Sequence, residues 1–420
     1  MNTFRRAMRW LQPGLGVKRW IVLLILGLAL VGLGALLSFN LFLAELIAGI
    51  GSTDQASRIG LLVLLVGFIV VAVSFVATVR NIARALLPDE RELVDRIWEQ
   101  RRRGSGLKIV AIGGGSGLSS LLRGLKSFST NLTAVVVVSD DGGSSGRLRT
   151  ELPSLTLPPG DLRNCLAALA DEEPLMTQLL QYRFDDRAPE LGGHSFGNML
   201  IAALEDITGD FEEAIRETSH ILAIRGKVLP PTLASVRLCA HLKDGRQISG
   251  ETNISQAGEA LDYVYLDPAA PEPLPEVLEA LAAADMIVMG PGSLYTSVVP
   301  NLLLPRLAEA IAASNAARVY VCNIMTQPGE TDHLTAVQHV EVLRRHVDLP
   351  VFEYVVLNDE RPMREVMERY AATGAEFIAP DARGIARLGY IPVQAPLLAE
   401  DDYIRHDPAK LARVLVGLAQ

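Results

Sequence analysis

Two uninterrupted apolar runs open the chain, residues 20–44 and 59–79, which are 25 and 21 residues long without one charged side chain. Each is long enough to cross a bilayer core as a helix, which takes about 20 residues. The first exceeds the roughly 7–15 apolar residues of a signal peptide, and a second run follows it, so two membrane spans are expected. Between them the only charged side chains are Glu45, Asp54 and Arg58. After them, Leu86, Leu93, Ile97 and Trp98 recur at helical spacing among seven arginines in residues 80–103. This pattern predicts an amphipathic juxtamembrane helix that ends at Gly104-Ser105-Gly106.

From residue 107 the pattern becomes that of a folded α/β domain. Residues 107–112 are a short run, apolar on both faces, that reads as a buried parallel strand, and Leu118, Leu121, Leu122 and Leu125 then repeat at helical spacing. A second strand at 133–139 completes a βαβ unit, the opening of a Rossmann-like, doubly wound, mainly parallel sheet. Further strands are predicted at 285–289, 318–323 and 351–357. Helices are predicted near 165–180, 198–208, 211–222, 275–283, 303–314, 334–346 and 407–418. From 228 to about 268 the pattern changes, with a hairpin of 235–242 and 247–251 around Asp244-Gly245 and a third strand at 261–266. The expected organisation is therefore a two-helix anchor (1–79), a juxtamembrane helix and linker (80–106), and one α/β domain (107–420) with a small β-rich insert.

Composition accounts for this division. The mean hydropathy is +0.26 although aromatic residues are only 5% of the chain, as expected when a very apolar segment is joined to an ordinary domain. Residues 1–103 carry a net charge of +6 in a chain of −9, which leaves −15 on residues 104–420. So acidic a domain excludes nucleic acid as its main partner. Arg5, Arg6, Arg9, Lys18 and Arg19 precede the first span, and Arg80 and Arg84 follow the second. This bias places both termini in the cytoplasm, the protein in the cytoplasmic membrane, and the α/β domain on the inner face. Cys165, Cys239 and Cys322 have no C-x-x-C spacing and read as buried thiols.

The candidate chemistry sits in five polar, glycine-rich loops. Gly113, Gly114, Gly115, Ser116 and Gly117 lie between a strand and a helix, where free N–H groups favour a phosphate or pyrophosphate. Leu118 replaces the third glycine of the dinucleotide fingerprint and no P-loop lysine follows, which argues against a nicotinamide oxidoreductase. Asp140 and Asp141 end the second strand ahead of Gly142, Gly143 and Ser144. They suit sugar hydroxyls or Mg²⁺, with one of them free to cap the turn, and Arg147 and Arg149 follow. In the third loop Asp161 is placed to cap its own helix with Asn164 at N3, while Arg163 has no evident structural task. The fourth holds His194, Ser195 and Asn198; His194 joins Asp140 and Asp141 as a candidate catalytic group, although nothing resembles a nucleophile elbow. The fifth holds Gly290, Gly292, Ser293, Tyr295 and Thr296, and Asn323 closes the next strand. Open parallel sheets bind ligands at their carboxyl edge, and most of these loops fall there.

Taken in order, residues 112–118, 139–146, 159–164, 193–198 and 290–297 resemble the gluconeogenesis-factor family of bacterial proteins, which is related to the 2-phospho-lactate transferases. The resemblance implies a domain that binds a uridine-diphosphate sugar and acts in wall-precursor supply and cell shape during gluconeogenic growth. Carried over by motif, residues 113–117 would face the pyrophosphate, Asp140 or Asp141 the sugar or a cation, and Arg163, Asn164, His194, Asn198 and 293–296 the rest. The two spans depart from the soluble appearance of typical members. Two functions stay open at this point. One is a membrane-tethered nucleotide-sugar-binding regulator, a homo-oligomer that acts through a wall-precursor enzyme. The other is an Mg-dependent transferase that moves a phosphoryl-linked group onto a hydroxyl.

Overall fold

A computed structural model describes residues 22–36, 54–86 and 106–419, except 153, 171–173, 189–190 and 400–402. The chain divides into two units, Met1–Arg101 and Arg102–Gln420.

The first unit contains α1 (Val22–Leu36) and α2 (Asp54–Leu86). Among the described residues, one helix is long and apolar enough to cross a membrane: α2, through Leu61–Thr78. α1 is apolar but shorter, and the rest of the expected first span, residues 20–21 and 37–44, lies outside the described residues, as do residues 87–103 of the expected juxtamembrane helix. The two helices meet at small residues. A Cβ on Gly34 would stand 2.7 Å from the Leu64 backbone nitrogen, and one on Gly67 the same distance from that of Val31. Leu26, Leu33, Phe68 and Phe75 are left exposed. The glycines at the contact let the two backbones approach closely.

The second unit is built on a parallel sheet of seven strands in the order β10-β9-β8-β7-β1-β2-β3. These are β1 (Ile109–Gly113), β2 (Leu132–Val136), β3 (Lys227–Leu229), β7 (Met286–Met289), β8 (Ala317–Val321), β9 (Tyr354–Asn358) and β10 (Ile391–Ala395), while β4 (Arg237–Leu242), β5 (Gln247–Ser249) and β6 (Leu261–Asp267) form a separate antiparallel sheet in the order β5-β4-β6. β1 and β7 are buried along their whole length, as strands covered on both faces must be. Winding proceeds from β1 towards β3 and from β7 towards β10, so the strand order reverses between β1 and β7. Helices α3 (Gly115–Leu125), α4 (Gly143–Glu151), α5 (Gly160–Leu169), α6 (Pro174–Gln181), α7 (Phe196–Thr208), α8 (Phe211–Ile221) and α9 (Glu251–Ser255) belong to the half that carries most of the polar loops.

The α/β class, the parallel sheet and the β insert agree with the sequence reading. The details that differ include three whose cause is plain. The helix expected over 165–180 is two helices, α5 and α6, because Pro174 can open a helix but cannot continue one. The stretch from Val228, expected to begin the insert, includes the main sheet's edge strand β3, which pairs in parallel with β2. β10 escaped the pattern because it is an edge strand, half exposed and interrupted by Pro392.

Candidate functional site

The two glycine-rich turns that follow β1 and β2 look alike in sequence and are built differently. After β1, Gly115 N–H donates to Asp161 Oδ2 at 2.7 Å, so the amide at the α3 N-terminus already holds an anion. A Cβ on Gly114 would stand 2.5 Å from Val137 Cγ1, and one on Gly117 would run into the Pro291 carbonyl oxygen. These glycines let three loops pack on one another. Asp161 therefore caps α3, which is not its own helix; α5 begins at Gly160, with Pro159 in the capping position.

After β2, Asp140 Oδ1 accepts from Gly142 N–H at 2.8 Å, immediately ahead of α4, which starts at Gly143. Asp141 reaches across to the insert, where its Oδ1 accepts from both the N–H and the hydroxyl of Thr252, at 3.0 and 2.9 Å. Beside this turn lies a cavity of 760 Å³ lined by Gly142, Gly143, Ser144, Arg147, Arg183 and Thr252 among others. Its carboxylates are Asp141, Glu151 and Asp186.

The loops before α5 and α7 close against α4. Ser144 is buried and accepts from Ser195 N–H and Asn198 Nδ2, both at 3.2 Å. With its oxygen accepting twice, its hydroxyl donates to His194 Nδ1 3.4 Å away, leaving the ring N–H on Nε2, 3.5 Å from Glu151 Oε2. A buried serine bound on every side is held in place and is not presented as a nucleophile. Arg163 has a structural task after all: it is buried, bonds Ser195 Oγ through Nη1 and donates to Asn164 Oδ1 at 2.8 Å. Burial lowers its guanidinium pKa from the usual range.

The loop after β7 is tied down in a similar way. Asn323 exchanges two hydrogen bonds with the backbone of Gly292, at 2.7 and 3.2 Å. Ser293 caps the turn Leu294–Val298 through Thr296 N–H and bonds Glu330. Tyr295 is buried, its ring edge-on to His346 with centroids 5.9 Å apart, so it serves the core. The structure thus joins the loops of Gly115, Asp140, Asp161, Ser144 and His194 through direct bonds, and uses Tyr295, Thr296 and Asn323 as scaffold.

Sequence reasoning missed Glu251, at the start of α9. Burial pushes its carboxyl up to about 9, reinforced by the charges of Asp140, Asp161, Glu330 and Asp141. Its Oε2 is sealed from solvent with no hydrogen-bond partner. Burial raises Asp161 to about 6, raises Asp140 against its bond from Gly142, and raises Glu330 against bonds from Ser293 and Ser255. No local pattern announces this cluster, because Glu251 is delivered by the insert 111 residues after Asp140. Hard oxygen donors with one orphaned atom suit a hard divalent cation. Among the described residues, however, no three metal-binding side chains are grouped tightly enough to hold one by themselves.

The family model for 2-phospho-L-lactate transferase CofD matches residues 109–398. The gluconeogenesis factor of Bacillus subtilis is 46% identical over 312 residues, covering 74% of this chain and 98% of that protein. The chain belongs to the gluconeogenesis-factor family. A longer relative from Nostoc sp. that shares the gluconeogenesis-factor name is 46% identical over 421 residues, covering 97% of this chain and 91% of that protein. About a quarter of this chain therefore has no counterpart in the Bacillus protein but has one in longer relatives. A solved structure of a UPF0052-family protein from Bacillus halodurans superposes with a TM-score of 0.71 at 44% identity, over 74% of this chain and 99% of that one.

Proposed function

We propose that this chain is a membrane-anchored regulator that binds a nucleotide sugar of the uridine-diphosphate-N-acetylglucosamine type and adjusts wall-precursor synthesis and cell shape during gluconeogenic growth. The observation that carries the reading is the 760 Å³ cavity beside the N-terminus of α4, with Arg147 and Arg183 on its wall. Helix N–H groups and guanidinium forks are what a diphosphate needs. The groups that could have supplied covalent catalysis, Ser144 and His194, are committed to holding α4 and α7 together. The names of the relatives support the gluconeogenic setting. The apolar α1 and α2, with arginines on their outer flanks, support a two-pass anchor with both termini cytoplasmic. A second copy and a wall-precursor enzyme are the partners this reading calls for.

Titration calorimetry of the full chain in detergent, with uridine-diphosphate-N-acetylglucosamine as titrant, should give saturable heat. A folded sample that gives none overturns the reading.

The orphaned Glu251 Oε2 favours a second reading, a Mg-dependent transferase, which accords with the CofD family model. Asp140 and Glu251 would hold the cation, with phosphate oxygens completing its shell, and when bound it would neutralise charge on the phosphoryl group. Incubation with Mg²⁺ and the nucleotide sugar, followed by chromatography, should then show released nucleotide that Asp140→Asn abolishes. Intact nucleotide sugar after long incubation removes this reading.

A further inference from the structure

A second cavity, of 530 Å³, lies between α4, the end of β2 and the antiparallel sheet. It shares Asp141, Gly146 and Thr150 with the 760 Å³ cavity, so the two adjoin along α4. Its walls differ in kind. Two guanidinium groups, Arg149 and Arg237, face two carboxylates, Asp141 and Asp267, and no aromatic ring lines it. Arg237 and Asp267 stand directly opposite on β4 and β6. Arg149 is drawn across by donating to Ser235 Oγ at 2.9 Å. Ser139, 3% exposed, also lines the cavity, and its hydroxyl has no partner.

Each candidate occupant makes a different demand. A nucleobase seeks an apolar or aromatic slot, which this cavity does not offer. A sugar ring is neutral and carries hydroxyls that both donate and accept. Matched carboxylate acceptors and guanidinium donors satisfy it. The volume lies in the range of about 300–1,000 Å³ typical of small-molecule sites.

We infer that this second cavity is the sugar subsite, with Asp267 and Arg237 reading the ring hydroxyls and the diphosphate lying along α4. The inference rests on the nucleotide-sugar reading above and assigns specificity to residues of the insert that the glycine loops do not include.

The test compares two probes, uridine diphosphate and uridine-diphosphate-N-acetylglucosamine, titrated into the full chain in detergent and into Asp267→Asn and Arg237→Gln. Both positions are exposed on the sheet, so melting temperatures should stay at the wild-type value. The expected result is at least about a tenfold loss for the nucleotide sugar with uridine diphosphate unchanged. Equal losses for both probes, or none for either, overturn the sugar subsite and leave the nucleotide reading standing. A wild-type chain that takes up neither probe overturns both.

Discussion

The turns after β1 and β2 carry the same kind of sequence, glycines and serines between a strand and a helix, yet they occupy their helix N-termini differently. After β1, a carboxylate from α5 sits on the Gly115 amide and the glycines are filled against Val137 and Pro291. After β2, the carboxylate of the turn's own Asp140 sits on the Gly142 amide ahead of α4, and the turn borders open space with Arg147 and Arg183 beside it. A glycine-rich turn therefore identifies a place where backbones come close. Whether the close neighbour is a ligand or another loop is decided by what the rest of the chain delivers there.

The largest expected effect separates the two turns directly. Gly117→Ala drives its Cβ into the Pro291 carbonyl, which is backbone and cannot swing away, so the α/β domain should fail to fold or lose most of its melting temperature. Gly143→Ala meets nothing within 4 Å and pays only for its positive φ of 52°, about 1–2 kcal/mol. Circular-dichroism melts of the two variants side by side check the contrast, and equal losses would break it.

Next comes affinity. Arg147 is exposed, and its one bond is to the Gly192 carbonyl at 3.0 Å. Arg147→Ala should leave the melt nearly unchanged and weaken nucleotide-sugar binding about tenfold or more, the worth of a lost charge-assisted bond. Unchanged affinity in calorimetry would remove the diphosphate from α4.

These contrasts show which parts of the molecule sequence alone can reveal. The parallel sheet was legible because β1, β2 and β7 are short, largely apolar runs that lead into glycine-rich loops, and the insert because Asp244-Gly245 marks a hairpin turn between two short strands. Convergence of the loops was legible too, since strands running in parallel must end at one edge. The assignments within that edge were not. Asp161 has the spacing of a helix cap but caps a different helix, and Arg163 looked idle because its partner Ser195 is 32 residues away. Glu251 and Asp267 enter from the insert, whose own pattern speaks only of strands.

The insert's contribution can be read through pH. Glu251 ionises at about 9 in the folded chain, against about 4.3 when unfolded, so folding retains a proton there. Its stabilising contribution is complete below about pH 4 and is lost progressively as pH rises through 9. Glu251→Gln keeps the shape without the titration. Its melting temperature should match wild type near pH 4–5 and exceed it increasingly towards pH 9, by at least the 2–4 °C or so that about 1 kcal/mol is worth in a domain of this size. In the transferase reading, Mg²⁺ with nucleotide sugar stabilises wild type at pH 8 but not this variant. Parallel melting curves across pH would show that Glu251 does not carry the repulsion assigned to it.

The smallest effect bears most directly on the comparison between the turns. Asp161 ionises at about 6, held up by burial and opposed by the Gly115 N–H, so its contribution is also complete below the unfolded value near 4 and lost as pH rises through 6. Asp161→Asn keeps an oxygen for the Gly115 amide and removes the charge. Any gain in melting temperature over wild type should appear above pH 6 and vanish near pH 4, at a level of about 1 kcal/mol. Asp161→Ala instead uncovers the amide and should cost about 0.5–2 kcal/mol, the usual worth of a helix cap. The decisive readout is ligand affinity in that alanine variant. If the diphosphate lies along α4, freeing the α3 N-terminus leaves affinity for uridine diphosphate where it was. If residues 113–117 receive it, an emptied anion site strengthens binding, and the two turns exchange roles: the one after β1 becomes the cradle and the one after β2 the scaffold.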